Sequence, residues 1–310
     1  MQAAITGIST IWVVIGVGWL VAHVGLVNQR GRRLVSMLAF IVASPPLLFG
    51  LVARASLDHV FAATAVVSVI AIGVMVALYL ALARLFFRPD LSGLVIGAMA
   101  SAYTNAGNFG LPVAMALLGD ATWVAPIMLV QVGVLQPICL ALLDVDAART
   151  EGVRLSPGRY LSLPVRNPIT VGILLGLAVN LLGVPVPAFV LQPVDMLGAM
   201  AVPLMLLAFG VSLRLDPKPG VGDHSAQVWV TVVLKLIVHP LVAWAIGRYG
   251  FGLGGHELYA VVILGALPAA QNMFVIATRY GRSELLARDS VFWTTIGSVG
   301  TLLVAAALLG

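Results

Sequence analysis

The sequence predicts an all-α, polytopic membrane protein of ten transmembrane helices, built as two inverted five-helix repeats with helices 4 and 9 broken and crossing. Three observations carry that expectation: an apolar composition, an alternation of basic and non-basic loops, and matched helix breakers in the two halves. Of 310 residues, 61% are hydrophobic and 9% charged, with a mean hydropathy of +1.07. A water-soluble domain carries roughly 25% charged residues, so this chain has too little polar surface to face water, and its solvent is lipid. A soluble α/β or β-sandwich fold is excluded. The net charge of +5 reads as membrane orientation and not as nucleic-acid binding.

Hydropathy places the spans at 5–27, 34–53, 61–85, 91–118, 121–143, 167–183, 192–212, 227–247, 258–278 and 289–309. The first has no basic segment before it and no small-residue cleavage site behind it, so it reads as a retained helix. One set of alternate loops holds Arg30, Arg32, Arg33, Arg84, Arg88, Arg149, Arg154, Arg159, Arg166, Arg214, Lys218, Arg279, Arg282 and Arg288; the other holds Arg54 and Arg248. That split of 14 to 2 puts the first set in the cytoplasm and both termini outside the cytoplasmic membrane. The chain divides into a first repeat (1–143), a cytoplasmic loop (144–166) and an inverted second repeat (167–310). Cys139, the single cysteine, lies in an apolar run and reads as a packed thiol.

The repeat rests on spacing. Gly18 and Gly25 recur as Gly176 and Gly183, and Pro45 recurs as Pro203, each pair 158 residues later. Ala106-Gly107-Asn108-Phe109 resembles Ala270-Gln271-Asn272-Met273 at an offset of 164. An odd number of spans per half requires opposite orientations, the arrangement of many secondary transporters.

Helix breakers in hydrocarbon are tolerated only beside protein or a water-filled cavity. Span 4 carries Thr104-Asn105-Ala106-Gly107-Asn108-Phe109-Gly110-Leu111-Pro112 near its midpoint, and span 9 carries Leu267-Pro268-Ala269-Ala270-Gln271-Asn272 near its own. Two interrupted helices meeting at midplane present half-helix N-termini with partial positive charge. Asn105, Asn108, Gln271 and Asn272 add amide donors and acceptors, and Thr104 and Pro268 stand at the breaks. This constellation suits an anion such as a carboxylate; the plainer reading is kinked helices with amides bonded to neighbouring backbone. Lys235, mid-span 8, reads either as a cation supporting that anion or as a structural lysine bonded to the broken helices. Pro45 and Pro203 are expected to bend spans 2 and 7 around the site. Gly172-x-x-x-Gly176 permits close helix contact within the protomer or at a homodimer seam. No P-loop, H-E-x-x-H, G-x-S-x-G or cysteine pair is present, so the sequence offers no enzyme, metal or cofactor motif.

At these residues the chain resembles the auxin efflux carrier family, which includes plant PIN proteins and bacterial organic-acid carriers such as malonate permeases. The resemblance is carried by Asn105-Ala-Gly-Asn-Phe-Gly-Leu-Pro112, Asn167-Pro168, Ala201-Val-Pro-Leu-Met-Leu-Leu-Ala-Phe-Gly210 and Leu267-Pro268. It implies a ten-helix transporter related to bile-acid symporters, with a small organic anion held where spans 4 and 9 cross and a transport unit moving over a scaffold. Where the plant proteins have proline at the span-4 crossover, this chain has Thr104. A sodium-coupled symporter on the same fold is the alternative, and it would call for a buried carboxylate, of which none lies near the midplane of a span, Asp195 at the outer end of span 7 coming closest.

Overall fold

The computed structural model describes residues 2–55, 62–150 and 167–310, and among them every regular element is a helix. In chain order these are α1 (Gln2–His23), α2 (Gln29–Ala53), α3 (Ala63–Phe87), α4a (Leu91–Ala102), α4b (Ala106–Leu117), α5 (Thr122–Thr150), α6 (Pro168–Leu182), α7 (Ala188–Leu215), α8 (Ser225–Gly250), α9a (Gly255–Ala266), α9b (Asn272–Tyr280) and α10 (Glu284–Leu309). Six of them, α2, α3, α5, α7, α8 and α10, are long and apolar enough to cross a bilayer. Outward-facing residues such as Leu20, Leu175 and Leu308 are 52%, 56% and 77% exposed. An apolar exterior of this extent identifies a multi-pass membrane protein.

Short polar residues start the helices. Asn28, Asp90 and Asn167 accept the backbone N–H groups of Gly31 (3.0 Å), Gly93 (2.8 Å) and Ile169 (3.1 Å), satisfying donors that have no partner inside the helix. Asp120 accepts from the hydroxyl and the backbone N–H of Thr122 at the head of α5, which holds its carboxyl below its ordinary range. Residues 144–150, expected as loop, are helical, since α5 runs to Thr150. Apolarity ends with the hydrocarbon, but a helix of good formers continues beyond it. The rest of that expected loop, 151–166, lies outside the described residues.

The contacts fall into a pattern. α1 packs along α7, and α6 along α2; α3 lies on α4a, and α8 on α9a; α4a meets α5, and α9a meets α10; α9a packs on α3, and α4a on α8. Glycines allow the closest approaches. Gly18 faces the carbonyl of Leu207 and Gly210 that of Ile15, while a Cβ at Gly176 would stand 2.7 Å from the Phe49 oxygen. Gly172 and Gly176 are thus used inside the protomer, against α2 at Pro45 and Phe49.

The expected bends have local causes. Pro45 and Pro46 follow a π-helical turn at Leu38–Ala43, and the Ser44 hydroxyl donates to the Ala39 carbonyl at 2.7 Å. α7 is interrupted at Met200, where Pro203 cannot donate to the preceding turn. Arg32 and Arg288, read from the sequence as loop cations, are buried instead, at 4% and 0% exposure. Arg32 pairs with Asp216 (2.8 Å) and Glu284 (2.9 Å), and Arg288 with Asp289 (2.5 Å), joining the ends of α2, α7 and α10. Opposite charges brought together from distant loops remove the need to keep either in water.

Candidate functional site

α4 and α9 are both broken, and the breaks touch. Between α4a and α4b the chain leaves the helix at residues 103–105, extended at Tyr103 and turning at Asn105, and between α9a and α9b it unwinds through 267–271. The two stretches run antiparallel, with Thr104 bridged to Ala269. The Asn105 N–H donates to the Pro268 carbonyl at 2.8 Å, and the Ala270 N–H to the Tyr103 carbonyl at 3.3 Å. Each break therefore supplies the hydrogen bonds that the other's helix has lost, which water would have to supply if either stood alone.

The helix that follows each break completes the pairing. The Thr104 N–H donates to Gln131 Oε1 on α5 at 2.5 Å, and Gln131 Nε2 donates back to the Thr104 carbonyl at 3.3 Å. The Ala269 N–H donates to Thr294 Oγ1 on α10 at 3.1 Å. A side-chain amide mimics a neighbouring strand at one break, and a hydroxyl accepts at the other.

Beside the crossing lies a cavity of about 100 Å³, against the ~10–15 Å³ that one water requires. Thr104, Asn105, Asn108, Gln131, Gln136, Gln271 and Asn272 form its polar wall, and α2, α6 and α7 close it with Phe40, Ser44, Leu48, Ile169, Val202 and Met205. No Asp, Glu, Lys, Arg or His lines it among the described residues. Asn105 precedes α4b and Gln271 precedes α9b, so the positive ends of both half-helices are directed to it. Asn105 and Gln271 are 4% and 2% exposed, yet Asn105 Nδ2 and Gln271 Nε2 have no hydrogen-bond partner within the protein; nor does Asn272 Oδ1. Buried polar atoms are nearly always paired, and these three are open to a polar guest in the one cavity they surround.

Five of the residues singled out in the sequence, Thr104, Asn105, Asn108, Gln271 and Asn272, meet here. Pro268 sits at the crossing but contributes only its carbonyl, to Asn105. Pro45 and Pro203 are not in the wall: Pro45 backs onto Gly172, and Pro203 is exposed. Lys235 is also apart from the cavity. It is fully buried on α8, donating to the Gly265 carbonyl at 3.1 Å and sharing a 2.8 Å hydrogen bond with His239 Nδ1. Its contact is with the C-terminal turn of α9a, whose last carbonyls have no intrahelical donor; that is the structural alternative of the two.

Tyr103, Gln131 and Gln136 were missed. Five positions apart on an α-helix, the two glutamines would face about 140° from each other and do not read as a pair. In the structure, a π-helical turn at Gln131–Leu135, closed by the Gln136 N–H on the Gln131 carbonyl, brings both to one face. Their polarity within a hydrocarbon span was the signal available.

A family model described as "Membrane transport protein" matches residues 3–149 and 153–306 of this chain. A "Putative malonate transporter" of Rhizobium meliloti is 28% identical over 97% of this chain and 94% of its own length. An uncharacterized transporter of Escherichia coli is 25% identical over 88% of this chain and 87% of its own length. A "Probable auxin efflux carrier component 5b" of Oryza sativa subsp. japonica is 28% identical over 47% of this chain and 40% of its own length.

Proposed function

The chain belongs to the auxin efflux carrier family of membrane transport proteins, a transporter and not an enzyme, and from that premise we propose that it carries a small organic anion across the cytoplasmic membrane by alternating access at the crossing of α4 and α9. The observation that carries the proposal is the trio of unpartnered amide atoms, Asn105 Nδ2, Gln271 Nε2 and Asn272 Oδ1, around one cavity at the heads of two half-helices. Neutral amides and helix dipoles hold a carboxylate without a buried cation. An anion bound this way can also leave, as a carrier requires. The malonate named for one relative is a short dicarboxylate, a size that a cavity of about 100 Å³ suits.

The movement we propose is of α3, α4, α5, α8, α9 and α10 against α1, α2, α6 and α7. Support comes from the cavity, which lies between the two sets and takes all its side-chain amides from the first. Two inverted repeats, 1–143 and 167–310, are supported by the contacts: exchanging each helix for the one five places on turns α1–α7 into α6–α2, and α3–α4a into α8–α9a. Termini outside the membrane follow from the split of basic loops.

Counterflow in proteoliposomes tests the proposal. Vesicles loaded with unlabelled malonate should accumulate labelled malonate through the wild-type protein, and Asn105→Leu and Gln271→Leu should abolish that accumulation while reconstituting equally. Wild-type rates in both variants would place the anion elsewhere.

A further inference from the structure

The three unpartnered amide atoms do not ask for the same chemistry. Asn105 Nδ2 and Gln271 Nε2 carry N–H donors, which suit carboxylate oxygens; Asn272 Oδ1 is an acceptor, which repels them.

The orientation of Asn272 follows from its neighbours. The buried Tyr103 hydroxyl donates to Gln136 Oε1 at 2.9 Å, and the same oxygen accepts Asn272 Nδ2 at 3.2 Å. Turning the Gln136 amide over would face its N–H₂ to the phenol and leave the buried hydroxyl hydrogen without this acceptor. With the phenol proton on Gln136 Oε1, that oxygen also holds Asn272 Nδ2, and Asn272 Oδ1 is left free. Gln271 Oε1 accepts from Asn108 Nδ2 at 3.4 Å, which leaves Nε2 for the guest. The π-helical turn of α5 is what brings Gln136 to this face.

We propose that the Asn272 carbonyl, held by the Tyr103–Gln136 relay, is the specificity determinant of the site, selecting anions that carry one hydrogen-bond donor beside the carboxylate: the monoprotonated form of a short dicarboxylic acid. This rests on the cavity being the anion site. Carboxylate oxygens meet Asn105 and Gln271, and the remaining acid O–H donates to Asn272 Oδ1. A dianion sets a second charge against that carbonyl, and no cationic side chain lines the cavity among the described residues to offset it. Among the described residues Tyr103 is the one titratable side chain in the lining, so pH dependence near neutrality belongs to the ligand.

Three isosteric probes test this by calorimetry on the purified full chain in detergent. Malonate should lose about tenfold in affinity per pH unit above its second ionisation, because the competent form is then a shrinking fraction. Malonamate, a monoanion with a non-titrating N–H₂ donor, should bind with constant affinity across the same range. Acetoacetate, which puts a methyl where malonamate has that donor, should bind at least about tenfold more weakly, the cost of leaving a buried acceptor unpaired. Asn272→Leu should erase the preference for malonamate over acetoacetate. Equal, pH-independent binding of all three by the wild-type protein overturns the selectivity and leaves the anion site standing. Binding of none of them at any pH overturns the anion site, and the selectivity with it.

Discussion

Gln131→Leu is the sharpest probe of how the broken helix α4 is held. In the wild-type protein the Thr104 N–H has Gln131 Oε1 as its acceptor at 2.5 Å, with the Thr104 hydroxyl bonded to the same oxygen at 3.2 Å. Thr104 is 1% exposed, so leucine of similar size leaves a buried backbone donor without its acceptor in the protein. One such donor costs about 1–3 kcal/mol; the hydroxyl can turn elsewhere, and the Thr104 carbonyl keeps the Ala106 N–H at 2.8 Å. A loss of about 2 kcal/mol is therefore expected. Thr104→Pro removes the donor, and the extended backbone of Tyr103 before it (φ −80°, ψ 114°) already suits a following proline. In Thr104→Pro the Gln131→Leu substitution should cost much less, giving a coupling of about 1–2 kcal/mol in a double-mutant cycle. Thermal unfolding of the four purified proteins in detergent measures the cycle, and malonate counterflow reports whether the crossing still works. Additive effects of the two substitutions would refute the reasoning, since they would mean that Gln131 does not serve the Thr104 N–H.

Three further outcomes are expected. Arg32→Gln strips Asp216 and Glu284 of a partly buried partner and should destabilise by about 3–5 kcal/mol, read as a lower midpoint of thermal unfolding; an unchanged midpoint would mean that the cluster contributes nothing net. Lys235→Gln should lower that midpoint through the lost bond to the Gly265 carbonyl while leaving malonate affinity unchanged, because the lysine is outside the cavity; a weakened affinity measured by calorimetry would return it to the site. Reporter fusions at Arg154 and at the C-terminus should read opposite sides of the membrane, and two cytoplasmic readings would sink the proposed topology.

Much of the site was legible because hydrocarbon leaves a sequence few options. Pro268 and the Asn-Ala-Gly-Asn run of 105–108 cannot sit in lipid as ordinary helix, so they announce interrupted helices. Asn105, Asn108, Gln271 and Asn272 are costly in lipid and were bound to face something polar. Lys235 invited the same inference and divided from the others in three dimensions: its depth along α8 resembles theirs, but its direction is toward the end of α9a. Position along a helix is linear information, and direction around it is not once π-helical turns shift the phase, as they do at Leu234–Val238 and at Gln131–Leu135.

By itself the sequence determined the solvent, the helical class and the two points at which helices had to break, because each follows from composition and local backbone chemistry. Tertiary structure alone decided which partners answered those breaks. Gln131 on the Thr104 N–H, Thr294 on the Ala269 N–H, and Tyr103 with Gln136 on Asn272 join residues from 25 to 136 positions apart. So did the burial of Arg32 with Asp216, 184 positions away. A lone donor, acceptor or charge in a sequence states only that a partner is needed; which group meets it depends on distances of about 3 Å that exist only when helices pack.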